Sequence, residues 1–294
     1  MRHLRAAARL IRGKLIKTGF DRKLADATYR RPRRLLTRLF RPDILDYRGA
    51  GIRRVTRDGI TFDLDPSDYV QWTIYFGIER EEKSALFNLA KPGYVALDIG
   101  TNVGEVLLNF AKRVGPDGRA IGFEPNPETL AKCRHNLRLN GFSNVEVHGF
   151  ALGDTQGEVS IGRVDETNAG ADRVVASGGV AVPLTTLDEF AKSLERLDLI
   201  KIDVEGFDLK VLRGGEHDRA LPAHALCRVV GPQFERAGRR RGRACPLAGG
   251  SRLSCTGCAY AGCHQVNRRP PRLRQGRHRG SSLSVPAKRL APRA

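Results

Sequence analysis

The chain has 294 residues, 40% of them hydrophobic and 28% charged, with a formal net charge of +19; that apolar content is enough for a packed core. The charge is uneven: residues 1–47 carry 14 Lys and Arg against 4 acids, residues 217–294 carry 17 against 2, and residues 48–216 between them are net −6. The overall basicity therefore does not mark the middle segment as a nucleic-acid-binding domain and says nothing about its substrate.

Residues 1–47 read as a basic helical arm. Leu4, Ala8, Ile11 and Leu15 recur at helical spacing with arginines between them, the pattern of a basic amphipathic helix. Such a helix makes weak contact with an acidic membrane surface or simply leads the domain as a solvated helix, and the solvated reading is preferred. Arginines interrupt the unbroken apolar stretch of about 7–15 residues that a secretory signal needs. No run approaches the about 20 apolar residues of a membrane span, so a cytoplasmic location is the expectation. Residues 48–94 are a mixed strand and helix lead-in. Within them "DYVQWTIYFGIERE" offers Asp68, Trp72, Tyr75 and Glu79 as a lid over an acceptor, or its aromatics as core.

Residues 95–216 alternate strand and helix signals, which favours a parallel sheet with helices on both faces. The first unit, "VALDIGTNVGEV", joins a strand at 95–99 to a helix at 105–114 through Gly100 and Gly104. Their G-x-x-x-G spacing fails the dinucleotide fingerprint, and no G-K-[ST] follows to make a phosphate loop. Asp98 would repel a pyrophosphate lying on this turn and suits a ligand with positive charge. Glu124, 26 positions later at the end of strand 119–123, can accept both hydroxyls of a ribose. An acid at each strand end, with the wrong glycines for a dinucleotide, fits S-adenosylmethionine, which carries an ammonium, a sulfonium and no phosphate. Asp98, Gly100, Asn102, Gly104 and Glu124 are accordingly the candidate cofactor residues.

Pro127 opens and Gly141 closes the next predicted helix. "NVEVHGFAL" reads as a third strand, with Phe150, Ala151 and Leu152 bordering the adenine and His148 as a strand residue without a chemical role. Residues 163–180 read as a polar surface loop, and Thr186 with Glu189 as a capping box. "LDLIKIDVEG" is the fourth strand, apolar as a buried parallel strand should be. Asp203 at its carboxyl end lies where ligands bind in open α/β sheets; it is the candidate general base or metal ligand, with Glu205 second.

The stretches "DPSDYVQWTIYFG" (65–77), "LDIGTNVGEVLL" (97–108), "GFEPNPETLAKCRHNLRLNG" (122–141), "VPLTTLDEF" (182–190) and "LIKIDVEGFDLKVLRGG" (199–215) resemble the FkbM-type methyltransferases over about residues 60–215. The resemblance implies a Rossmann-like S-adenosylmethionine-dependent methyltransferase fold. It also implies methyl transfer to a hydroxyl of a sugar or secondary metabolite, a small-molecule acceptor. Thr101 and Asp208 depart from the family's usual Ala and Glu.

After residue 216 the composition changes. Residues 217–294 hold 16 Arg, no Ile and only 12 Val, Leu or Phe, below the about 20% expected of a folded segment. The sheet is therefore expected to stop after its fourth strand. The tail reads either as a disordered basic extension that binds nucleic acid or, preferably, as out-of-frame translation of GC-rich DNA, which would leave a methyltransferase remnant. Cys255, Cys258, Cys263 and His264 include one C-x-x-C half-site, but the spacing disfavours zinc. A nucleic-acid methyltransferase is disfavoured too. "DVEG" stands where base-amino methylation uses [DNS]-P-P-[YF], and the tail has Cys245-Pro246 where cytosine methylation uses Pro-Cys.

Overall fold

The computed structural model describes residues 2–30, 40–215, 226–229 and 254–255. Two helices, α1 (Arg2–Lys17) and α2 (Phe20–Arg30), precede a hairpin of β1 (Arg53–Arg57) and β2 (Ile60–Leu64). The hairpin turns at Asp58-Gly59, both with positive φ, as a two-residue primed turn requires. Helices α3 (Tyr69–Phe76) and α4 (Arg80–Phe87) follow. Ile16, Ala25 and Tyr47 pack with Val55, Phe62, Ile74 and Phe76 in one core, so the N-terminal arm is docked rather than solvated. Ile16 is buried in that core, whereas Ile11 of the predicted stripe is 44% exposed.

The main sheet has the order β12-β11-β10-β3-β4-β5 and is parallel throughout. Its first strands are β3 (Val95–Ile99), β4 (Arg119–Phe123) and β5 (Val145–His148), and β10 (Leu199–Ile202) lies on the other side of β3. Helices α5 (Glu105–Val114) and α6 (Pro127–Asn140) connect the first three strands. Alternation in β3 sorts its side chains. Leu97 and Ile99 join Ile121, Phe123, Ile200 and Ile202 beneath α7 (Leu187–Ala191) and α8 (Asp208–Arg213). Ala96 faces the opposite way, with Leu107, Phe110 and Val114 of α5 and Leu86 of α4. Burial of each such large side chain contributes about 1.5–3 kcal/mol. Both faces are covered, as the sequence pattern implied.

Three expectations are corrected. The third strand is two: β5 belongs to the main sheet, while β6 (Ala151–Gly153) leaves it at Gly149-Phe150 and pairs with β9 (Val180–Thr186) in a second sheet completed by β7 (Gly157–Gly162) and β8 (Arg173–Val175). The 163–180 segment is not merely a loop, since it contains β8 and a short 3-10 turn at Ala169–Ala171. The main sheet does not end at its fourth strand: β11 (Leu226–Val229) pairs parallel with β10, Leu199 opposite Leu226 and Ile202 opposite Val229, and β12 (Ser254–Cys255) pairs with β11. The short run "ALCRVV" is masked by a composition averaged over 78 residues that hold only 12 Val, Leu or Phe.

Helix α6 begins as read, with Asn126 capping the Glu128 and Thr129 N–H groups, Pro127 at its first turn and Gly141 at its end. Its Asn136 and Asn140 lie one turn apart and extend the edge of β2. Asn140 accepts from Thr61 N and donates to Thr61 O, each at 2.8 Å, and Asn136 accepts from Asp63 N at 3.0 Å. The lead-in hairpin is thereby fastened to α6, and through it to the main sheet, by side chains acting as a strand.

Candidate active site

Chain order reverses at β3: β4 and β5 lie on one side, β10 and β11 on the other. In such sheets the ligand crevice opens beyond the carboxyl ends of the strands at that point. The turn after β3 and the loop after β10 meet there. Asp203 N–H donates to the Ile99 carbonyl at 3.0 Å. Gly100 has φ +81, and a Cβ on it would run into the Asp203 carbonyl, so glycine is required by the close approach of the two strand ends. Gly104, with φ +95, caps α5 and packs against Cys133 and Leu137 of α6. Thr101 explains one departure from the resemblance. Its hydroxyl donates to Asp98 O at 2.7 Å and accepts from Phe123 N at 3.1 Å, tying the turn to β4.

Glu124 closes the other side of the turn. One carboxylate oxygen accepts Asn102 N–H at 2.9 Å and the other accepts Asn126 N–H at 3.0 Å, leaving lone pairs on both for a ligand diol. Burial pushes this carboxyl up to about 7, only partly offset by those two N–H groups.

Two cavities share this edge. The larger, of about 360 Å³, lies between the Gly100–Val103 turn and helices α3 and α4, bounded by Tyr69, Thr73, Glu79, Lys83 and Glu105. The smaller, of about 80 Å³, lies against Phe123, Glu124, Phe150, Ala151 and Leu152, and includes Asp172. Gly100, Asn102, Gly170, Asp203 and Glu205 line both. Of the candidate cofactor residues, Gly100, Asn102, Glu124, Ala151 and Leu152 thus come together, while Asp98 and Gly104 line neither cavity. Of the four non-glycine residues with positive φ among the described residues, Glu79, Asn102 and Glu205 line the larger cavity. Strain of about 1–3 kcal/mol at such positions gathers where a site has to be held open.

The residues offered as a lid divide between the core and the cavity wall. Tyr75 is fully buried and donates to Asp21 at 3.0 Å, beside Tyr47, which does so at 3.1 Å; it belongs to the core. The Trp72 indole N–H donates to the Pro42 carbonyl at 3.0 Å. Asp68 caps α3 through Gln71 N–H and takes Ala169 N–H at 2.7 Å, which fastens the 169–171 turn over the site. Tyr69, Val70, Thr73 and Ile74 of α3, with Glu79, Lys83 and Leu86 at and in α4, face the larger cavity. His148 stacks on Phe123 with ring centres 5.4 Å apart, a packing role.

Lys201 escaped the sequence reading. It lies opposite Asp98 in the β10–β3 register, and both side chains are buried, 5% and 0% exposed. Its ammonium is 2.9 Å from Asp98 Oδ1 and 3.9 Å from Asp203 Oδ2, and it donates to the Gly100 carbonyl at 2.9 Å. The contact with Asp98 is a buried ion pair. Burial pushes the Asp98 carboxyl up against the pull of Lys201. Burial would lower the Lys201 ammonium, but Asp98 and Asp203 raise it overall. The signal was a lone charge in an apolar strand, which cannot be buried without a counter-charge. Asp203 itself is 39% exposed. Partial burial at the cavity wall raises its carboxyl, opposed by Lys201 and assisted by Asp208 and Asp98. Burial, then Asp203 and Asp208, raise Glu205 likewise. The second departure, Asp208, is buried and accepts Val204 and Gly206 N–H at 3.1 and 3.3 Å, shaping the loop that carries both.

Cys258, Cys263 and His264 lie outside the described residues, and of Cys255 only the backbone in β12 is described. Among the described residues no group of three or more His, Cys, Asp or Glu is arranged to hold a metal, and no helix is long and apolar enough to cross a membrane.

Residues 98–241 match the family model described as the methyltransferase FkbM domain, so the match runs past residue 215, where the resemblance was expected to stop. The chain is 29% identical over 148 residues to the 2-O-methyltransferase NoeI of Sinorhizobium fredii, covering 44% of this chain and 60% of that protein. It is 25% identical over 138 residues to the hexuronic acid methyltransferase AglP of Haloferax volcanii, covering 46% and 56%. The chain thus spans a little over half the length of these relatives. A solved FkbM methyltransferase structure from Methylobacillus flagellatus KT is 19% identical over 50% of this chain and 40% of that one, with a TM-score of 0.31. Over residues 98–241 the chain belongs to the FkbM methyltransferase family.

Proposed function

We propose that the chain transfers a methyl group from S-adenosylmethionine to a hydroxyl of a small acceptor, a sugar or a secondary metabolite. One observation carries the reading: Asp203 and Glu205 stand on the wall common to both cavities, between the Glu124 side and the α3–α4 side. The donor set fits the methyl donor. Glu124 has lone pairs for the ribose hydroxyls, Phe150, Ala151 and Leu152 give an apolar border for the adenine, and the acids beside the turn suit a cation. When bound, S-adenosylmethionine supplies a methyl carbon on a cationic sulfur.

The residues then divide the work. Gly100 and Asn102 present backbone where the two strand ends meet. Asp98 neutralises Lys201, so the floor of the cavity does not carry an uncompensated ammonium that would repel a sulfonium. Asp203 takes the proton that the acceptor hydroxyl gives up as its oxygen bonds to the methyl carbon and the carbon–sulfur bond breaks; its raised carboxyl makes it a stronger base than an ordinary aspartate. The α3–α4 wall orients the acceptor and excludes water. NoeI and AglP, by name a 2-O-methyltransferase and a hexuronic acid methyltransferase, support a sugar hydroxyl as acceptor.

The test is calorimetric binding of S-adenosylmethionine to the wild type and to Asp203→Asn, alongside product formation with a panel of sugars and hydroxylated metabolites. Binding retained with turnover lowered about 10²–10⁴-fold, the range of general base catalysis, supports the assignment. Unchanged turnover in Asp203→Asn would remove Asp203 as the base, and a folded wild type that binds no S-adenosylmethionine would remove the reaction.

A further inference from the structure

Six of the ten large hydrophobic side chains exposed among the described residues lie between residues 10 and 52: Leu10, Ile11, Phe20, Phe40, Leu45 and Ile52. Leu10 is 71% exposed and Phe20 51%, far more than residues used in a core. The two helices that carry Leu10, Ile11 and Phe20 are nevertheless docked, through Ile16 and Ala25 and through the fully buried Asp21, which accepts from Tyr47, Tyr75 and Arg53. Their outer face is therefore held in a fixed position while remaining apolar.

That face is also basic. Lys14 and Lys17 follow Leu10 at one and two helical turns, on the same side of α1, and the Lys23 ammonium lies 5.6 Å over the Phe20 ring. Asp21, the one acid between residues 10 and 23, points inward and is fully buried. A helix face that alternates exposed Leu, Ile and Phe with lysines is the composition of an interfacial helix, whose apolar side chains enter the acyl boundary while its cations meet anionic headgroups.

We infer that the outer face of α1 and the start of α2 docks on an anionic membrane surface, with Leu10, Ile11 and Phe20 entering the interface and Lys14, Lys17 and Lys23 pairing with acidic lipid headgroups. The occupant is a bilayer rather than a nucleic acid because the most exposed groups are apolar. A polyanion of phosphates would leave them in water.

The experiment uses the full chain with Phe20→Trp and vesicles of phosphatidylglycerol and phosphatidylcholine, beside the wild type. The native Trp72 is half-buried and held by Pro42 and Tyr69, so its emission serves as the internal control. The expected result is a blue shift of the introduced indole on the mixed vesicles and its quenching by brominated acyl chains. Both weaken as salt is raised, because the lysines are exposed. Lys14→Ala/Lys17→Ala/Lys23→Ala in the same background lowers the affinity by about fivefold per lysine, on the order of 100-fold together. An unshifted thermal melt would show that this variant is folded.

The basic segment 217–294 can itself bring the chain to vesicles, and the indole readout separates the two. Sedimentation with the vesicles while the indole at position 20 stays in water would overturn the inference. So would an equal shift on phosphatidylcholine alone, or the same shift with duplex DNA in place of lipid.

Discussion

Replacing Lys201 with methionine keeps the side chain's length and removes the ammonium 2.9 Å from Asp98. Asp98 is fully buried, and orphaning one member of a buried pair costs about 3–5 kcal/mol. Burial already raises its carboxyl, so in Lys201→Met the group takes up a proton, and the Gly100 carbonyl loses its donor at 2.9 Å. At about 2–4 °C per kcal/mol for a domain of this size, the melting midpoint falls by about 6–20 °C. A neutral amide needs no counter-charge, so Asp98→Asn added to Lys201→Met recovers most of the loss, with a coupling of about 2 kcal/mol or more. Urea unfolding followed through Trp72 fluorescence measures the full cycle. A loss below about 1 kcal/mol in Lys201→Met, or a double variant no more stable than the single, would refute the idea that this pair sustains the buried charge.

Gly100→Ala forces a side chain into the left-handed region and against the Asp203 carbonyl; chemical unfolding should show a loss of about 2–5 kcal/mol, the combined range of left-handed strain and overpacking. The Glu124 carboxyl near 7 gives a pH dependence of known sign. Ribose hydroxyls donate to its ionised form, so adenosylmethionine affinity falls as pH drops through 7, by about tenfold between pH 8 and pH 6, and calorimetry on Glu124→Gln should find that slope flattened. For stability, the same raised carboxyl contributes a loss as pH climbs from its unfolded value, about 4.3, toward 7. Asn140→Ala leaves the Thr61 N–H and carbonyl without their side-chain partner; thermal unfolding should report a loss of about 1–3 kcal/mol with cofactor affinity unchanged, since Asn140 lines neither cavity.

Period and punctuation in the sequence set most of the local structure. "VALDIG", the acid at the first turn of α5, Pro127 and Gly141 around α6, and Thr186 before α7 each act within a few residues, through backbone sterics and capping. That is why strands 95–99 and 119–123 and helices 105–114 and 127–140 fall where they were read. Glu124 and Asp203 were legible for a related reason, because an acid just after a buried parallel strand has to emerge at the carboxyl edge of the sheet.

Tertiary structure alone decided the partners. Whether Asp98 meets a ligand or Lys201 depends on which strand lies beside β3, and strand order is set by crossovers that no local pattern encodes. Gly100 is required by a carbonyl over a hundred residues away, and Tyr75 reads equally as lid or core until Asp21 is placed beneath it. The end of the sheet was misjudged because four residues pairing with β10 form a strand by virtue of that edge, whatever the composition around them. Sequence fixes what each residue can do locally; the meeting of distant strand ends determines which charges are buried together, and the cost of burying them unpaired holds the site in one arrangement.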